Sequence, residues 1–324
     1  MRLPTDLHVM ILSGTFFEYR NLIRYTNIVN RKPRSRQARR IRHPRFSHIE
    51  YTARVMASRI TTPRRREAMG GLAKGLAVIR AFTREQPALT LSDIARAAAM
   101  PAATARRCLL TLEELGYVTR SGRSFLLRPK VLELGAAYLE SMNIEQLTKT
   151  HLEELARETA DSAALCVLDG TEIVYVARAS VRTLVRLEAH VGSRFPAHAT
   201  STGRVLLAGL STERLHRYFQ VARLEALTER TVTDPAKLTQ LIDECRRSGY
   251  SVVEDELAYG VIALAVPVLD GHGRVVAALN TSSHSRKTTK AKLVRERLTM
   301  LQQVGRQISA DLTGVPGLAL SAQV

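Results

Sequence analysis

Arg106 and Arg107 stand together on one side of a helical stretch, beside Ala103 and Leu110. Ala105, Cys108, Leu109, Leu112 and Leu115 recur at helical spacing on the other side, so the arginines should point outward. Two outward guanidinium groups on a short helix suit the phosphates and base edges of nucleic acid. A second cluster lies in FPAHATSTGRVLLAGL, Phe195 to Leu210. Thr200 or Ser201 caps a helix there, and the free amides and positive dipole end of a helix start favour an anion. His198, just ahead, has a ring nitrogen that could donate to a carboxylate. Ser201 and His198 do not make a catalytic set, because no acidic group orients the histidine and no GxSxG occurs. The residues alone leave two plainer readings open: a core helical hairpin with solvated arginines, and a capped helix with a surface histidine.

The elements around the arginines are specific. Thr90 and Asp93 have the spacing of a capping box, opening a helix with Ile94, Ala95 and Ala98 inward. Met100-Pro101 makes a corner, since the residue before proline is pushed out of the α region and proline suits a helix start. A second helix runs from about Ala102 to Leu115, and Gly116 stops it. This is the sequence form of a helix-turn-helix, whose second helix would enter the DNA major groove. Tyr117 to Thr119 and Ser124 to Leu127 read as strands around a glycine turn, a wing with Arg120 and Arg123 near its tip. A preceding helix from Leu72 to about Arg84 should lay Leu76, Ile79, Arg80 and Phe82 against the motif. Leu132 to about Met142 is amphipathic, with Val131, Leu134, Gly135, Tyr138 and Met142 on one side.

The rest of the chain alternates hairpins and helices. Ile144, Leu147, Leu152 and Leu155 share a helix face. Ala163–Leu168 and Thr171–Arg178 are strands joined at Asp169-Gly170. Leu184 to His190 reads as a strand; Thr200–Leu210, Thr212–Val221 and Pro235–Ser248 read as helices. Val261–Leu269 and Arg274–Thr281 are strands turned by DGHG. A last helix, about Thr288 to Leu312, keeps Val294, Leu298, Leu301, Val304 and Ile308 on one face. The pattern predicts α+β with an antiparallel sheet.

The chain has 324 residues and a net charge of +18. Residues 1–68 hold 16 Lys+Arg and 4 Asp+Glu, a net of +12, which leaves +6 for the other 256. The charge therefore belongs mostly to the leading segment, where Arg31 to Arg45 is almost polybasic. Residues 1–70 are expected to be a disordered basic extension, with Met56 and Met69 as alternative starts. The three cysteines, Cys108, Cys166 and Cys245, are far apart, and no CxxC or Cys/His cluster supports a metal site or disulfide framework. A reducing, cytoplasmic compartment fits. No apolar run approaches the roughly 20 residues of a membrane span, and Leu7 to Phe17 lacks a convincing cleavage site for a signal peptide.

KGLAVIRAF (Lys74 to Phe82), the helix-turn-helix, the wing and RPKVLELGAAYL (Arg128 to Leu139) resemble the IclR family of bacterial transcriptional regulators. TARRCLLTLEELGYV and VLELGAAYL look most like its subgroup controlling aromatic-acid catabolism by the β-ketoadipate pathway. The resemblance runs from about Leu72 to Leu312. It implies a winged helix-turn-helix domain (71–129), a linker helix (130–143) that contributes to dimerisation, a GAF/profilin-like effector-binding domain (144–314) and a flexible terminus (315–324). It implies a homodimer or homotetramer on a pseudopalindromic double-stranded operator, no cofactor and no membrane. Candidate DNA contacts are Thr90, Ser92, Ala103, Thr104, Arg106, Arg107, Arg120 and Arg123. Candidate effector contacts are His198, Thr200, Ser201, Val261, Ala263, Asn280 and Ser282. Ile262 and Ala263 stand where the family often has arginine and then serine or cysteine, so Val261 to Val266 should form an apolar wall. Asn280 and Ser282 alternate on one strand and share a face. Asp255 is expected in a solvated turn. The effector is then expected to be a small carboxylate with an aromatic body, such as a hydroxybenzoate or protocatechuate. A dicarboxylate would need a second cationic end, from Arg186 or Arg194. The alternative readings are a non-specific basic nucleic-acid binder driven by the leading segment and, less favoured, a small-molecule-processing enzyme.

Overall fold

The computed structural model describes residues 69–180 and 189–312. The expectations for residues 1–68, the strand at 184–190, Arg186 and residues 315–324 fall wholly or largely outside them.

The described residues open with α1 (Gly70–Ile79), β1 (Ala88–Thr90), α2 (Leu91–Ala97), α3 (Ala102–Glu114), β2 (Val118–Ser121) and β3 (Ser124–Leu127). The capping box is present: Thr90 Oγ1 accepts from the Asp93 amide and the Asp93 carboxylate accepts from the Thr90 amide. Pro101 sits at the cap of α3 rather than inside it, because its ψ of 143° is extended. Ala99, in the corner, takes a φ of +49°, a conformation that suits glycine better. Gly116 ends the unit at φ +82°. Val78, Leu89, Ile94, Ala105, Leu109, Leu112 and Val118 make one core. Two expectations are corrected here. Leu76 and Leu115 are 44% and 51% exposed, and Val78 is the side chain that α1 buries fully. Strand β1 is too short to show a period in the sequence. It pairs with β3 to complete a three-stranded sheet in the order β1-β3-β2.

A 3-10 turn (Pro129–Val131) leads into α4 (Leu132–Ser141) and α5 (Ile144–Thr159). Then come β4 (Ser162–Asp169), β5 (Glu172–Ala179), β6 (Arg194–Pro196), α6 (Ser201–Ala208), α7 (Thr212–Val221), α8 (Pro235–Ser248), β7 (Ser251–Glu254), β8 (Val261–Leu269), β9 (Val275–His284) and α9 (Lys290–Leu312). The strands form a six-stranded antiparallel sheet, ordered β6-β5-β4-β9-β8-β7. Alternation along each strand feeds two cores. Leu165, Val167, Ile262, Leu264, Val266 and Leu279 pack with α5 and α9. Ala164, Cys166, Ile173, Tyr175, Ala265 and Ala278 pack with α6, α7 and α8. Edge strand β7, unmarked in the sequence reading, pairs with β8 through Val253↔Ala263.

Candidate functional site

On α3 the apolar face goes into the core, and Ala103, Arg106, Arg107 and Leu110 are exposed on the other. Thr104 is half-buried, and Ser92 is exposed near the start of α2. Arg120 and Arg123 are exposed on the wing. Arg120 is partly committed there: its Nε donates to the Gly122 carbonyl at 3.0 Å and its guanidinium lies 6.0 Å from the Phe125 ring centre. Thr90 is also committed, since its hydroxyl donates to Asp93 Oδ2 at 2.6 Å while accepting from the Asp93 amide. Thr90 therefore builds the helix start, and its hydroxyl is not available to a phosphate.

The second cluster assembles between the start of α6 and the sheet. Tyr175, Ala199, Thr200, Ser201, Thr202, Val253, Leu257, Val261, Ala263, Asn280 and Ser282 line a narrow cavity of about 20 Å³. That is near the space one water needs. Six of the seven expected contacts lie there, brought in from α6, β8 and β9. Register explains the convergence: Ala263 faces Ser282, and Ala265 faces Asn280, across the β8–β9 ladder. Thr200 Oγ1 accepts from the Gly203 amide at 3.0 Å and caps α6. Gly203 is required by this tight entry, because a Cβ there would lie 2.0 Å from the Ala197 carbonyl oxygen. Two buried polar atoms in the lining, Ser201 Oγ and Asn280 Oδ1, have no hydrogen-bond partner among the described residues. Such atoms are costly in a folded interior, at about 1–3 kcal/mol each.

Four site expectations are corrected by the geometry. His198 is not in the lining; it is 1% exposed, and its Nε2 bonds the Glu225 carbonyl at 3.0 Å. Burial depresses its pKa below the ordinary value, so it is a neutral ring that donates to a backbone oxygen. Ile262 points away from the cavity into the core shared with α5 and α9, because it alternates with Val261 and Ala263 on β8. Arg194 pairs with Asp169 and Glu172 at the β4–β5 hairpin. Asp255 is 9% exposed, with φ +59°, its carboxylate accepting from the Gly260 amide and pairing with Arg230 at 3.1 Å.

Sequence reasoning missed Tyr175, Ala199, Thr202, Val253 and Leu257 in the lining. It also missed a buried ion pair behind it, Arg204 to Glu256 at 2.6 Å, with the two side chains 4% and 7% exposed. This pair ties α6 to the loop that carries Leu257. Glu256 also accepts from the Val232 amide, and its carbonyl accepts from Thr231 Oγ1. Glu256 lies in the acidic run Glu254 to Glu256, whose burial no local pattern announces.

The comparison with known proteins agrees with this architecture. Residues 71–122 match the IclR helix-turn-helix domain and residues 136–310 match the bacterial transcriptional regulator IclR C-terminal domain. The chain is 40% identical over 247 residues to the Pca regulon regulatory protein of Pseudomonas putida, covering 76% of this chain and 85% of that one. It is 33% identical over 266 residues to the p-hydroxybenzoate hydroxylase transcriptional activator of Acinetobacter baylyi, covering 81% and 97%. Among solved structures, it resembles an IclR homologue complexed with 4-hydroxybenzoate from Microbacterium hydrocarbonoxydans, with a TM-score of 0.65, 27% identity and coverage of 75% and 99%. With a winged helix presenting two arginines and a second domain holding an unanswered polar cavity, the chain belongs to the IclR family of bacterial transcriptional regulators.

Proposed function

We propose that this regulator binds a small aromatic monocarboxylate bearing a ring hydroxyl, and that the ligand governs genes for aromatic-acid catabolism. The observation that carries the reading is the pair of buried, partnerless atoms in one cavity. Ser201 Oγ, beside the first amides of α6, offers donors to a carboxylate. Asn280 Oδ1 offers an acceptor to a hydroxyl. Between them lie Val253, Leu257, Val261 and Ala263, which suit an aromatic body. Asn280 Oδ1 also disfavours a second carboxylate, an acceptor facing an acceptor. The likeness to a p-hydroxybenzoate hydroxylase transcriptional activator and to an IclR homologue complexed with 4-hydroxybenzoate supports the same chemistry.

At about 20 Å³ the cavity is far smaller than an aromatic acid, so entry requires the α6 start or the Leu257 loop to shift. A ligand that favours a shifted state is, by linkage, able to alter DNA affinity. On the DNA side, the proposal gives Arg106 and Arg107 the major groove and Arg123 the backbone. A homodimer or homotetramer would read a pseudopalindromic operator.

Thermal-shift titration tests the ligand class. 4-Hydroxybenzoate and protocatechuate should raise the melting temperature, with a gain of about 2.7 kcal/mol at a hundredfold excess over Kd. Adipate should give no shift. A dicarboxylate that stabilises more strongly than either aromatic acid would overturn the reading.

A further inference from the structure

Tyr175 lines the cavity as a fully enclosed side chain, 6% exposed, on the face of β5 that meets α6. Its ring meets Phe195 edge-on, with centroids 5.7 Å apart and planes at 79°. Its amide donates to the Ser193 carbonyl at 3.0 Å, and its carbonyl accepts from the Gly192 amide at 2.8 Å. The β4–β5 register slips beside it: Leu165 faces Ala177, yet Cys166 faces Tyr175, leaving Val176 as an extra residue. A bulge of this kind re-aims the side chains around it. Tyr175 keeps the face of Ile173, and past the bulge Val176 and Ala177 both enter the opposite core.

The Tyr175 and Asn280 side chains line the same cavity. Among the described residues, Asn280 Oδ1 has no hydrogen-bond partner, so it is free to accept. A neutral phenol carries a proton to donate. Burial holds Tyr175 in the neutral, donating form. One donor and one acceptor therefore belong to the same lining. A hydroxyl group is the ligand feature that uses both, because it gives one hydrogen bond and accepts another.

We propose that Tyr175 is a specificity-determining residue, which with Asn280 reads the ring hydroxyl of the effector. The ligand hydroxyl donates to Asn280 Oδ1 and accepts from the Tyr175 phenol. This rests on the proposed ligand class and adds a residue and a rule to it. A ring without the hydroxyl leaves Asn280 Oδ1 unanswered. A methoxy ring can accept from Tyr175 but cannot donate to Asn280.

Isothermal titration of the full-length protein with 4-hydroxybenzoate, 4-methoxybenzoate and benzoate tests the rule. The wild type should prefer 4-hydroxybenzoate over each of the others by about tenfold, one net hydrogen bond. Tyr175→Phe, which keeps the ring against Phe195, should weaken 4-hydroxybenzoate by about tenfold while leaving benzoate within about twofold. Absence of any hydroxyl preference in the wild type overturns the inference. So does an equal change for all three acids in a Tyr175→Phe protein that melts as the wild type does. A wild type that binds none of the acids refutes the ligand class itself, a separate failure from loss of hydroxyl discrimination alone.

Discussion

The winged helix and the cavity domain solve opposite problems with their polar groups. The winged helix buries an apolar core and leaves Arg106, Arg107 and Arg123 in solvent, where they are presented without folding around anything. The cavity domain takes polar groups inside: Ser201, Asn280, Arg204 and Glu256 are each under a tenth exposed. Exposed arginines can be exchanged with little effect on stability, so binding to DNA should be separable from folding. Buried polar groups are coupled to folding, so ligand recognition and stability should change together in the second domain.

The sharpest break of that contrast is Arg204→Met. It leaves Glu256 buried without its cation and should cost about 3–5 kcal/mol, read by chemical denaturation. The double substitution Arg204→Met with Glu256→Leu should recover most of the loss. If the single change is harmless, the pair does not hold α6 to the Leu257 loop. Gly203→Ala comes next. Its Cβ would collide with the Ala197 carbonyl oxygen, and overpacking against backbone should cost about 3 kcal/mol. Its thermal midpoint should fall well below that of Gly209→Ala only if backbone yields less than the Val275 side chain does.

On the other side of the comparison, Arg106→Ala and Arg107→Ala should leave the melting curve unchanged. At least one should weaken operator binding by about 1–3 kcal/mol. Gel-shift titration against operator and competitor DNA distinguishes loss at one base position from a uniform loss. Unchanged affinity in the double variant would remove α3 as the reading helix.

The corner offers a smaller test. Ala99→Gly relieves a positive φ, at a gain of up to about 1 kcal/mol. The smallest effect concerns pH. Buried His198 has a pKa below its ordinary 6.5, so protonation favours the unfolded chain. Stability should be full above that pH and decline as the pH falls below it. His198→Gln should flatten the decline without changing affinity for an aromatic acid. If ligand affinity collapses instead, the ring acts in recognition after all.

The two regions were also unequally legible. The helix-turn-helix is built from local signals, so the capping box, the Pro101 corner, the wing turn and the outward arginines could all be read from short windows. Its misses were local too: β1 has three residues and no period, and Thr90 is consumed by the cap it makes. In the cavity domain the helices and the long strands were legible, though the short strands β6 and β7 were not, and so was the shared face of Asn280 and Ser282. Ile262 was misplaced because strict alternation on β8 was not applied to it. Tyr175 follows Ile173 at strand spacing, but its place in the lining comes from the tertiary meeting of β5 with the start of α6. Arg204 and Glu256 are 52 positions apart, so their pairing is a product of the fold. His198 was assigned by proximity to the helix start, whereas its ring turns to a carbonyl that is far along the chain.

The most direct measurement is a crystal structure of the full-length protein with 4-hydroxybenzoate bound. The ring should lie between the start of α6 and strands β8 and β9, in a cavity widened around Leu257. Its carboxylate should sit within hydrogen-bond distance of Ser201 Oγ and the first α6 amides, and its hydroxyl between Tyr175 and Asn280. A ligand found elsewhere, with Ser201 and Asn280 still unpartnered beside an unchanged cavity, would contradict the account.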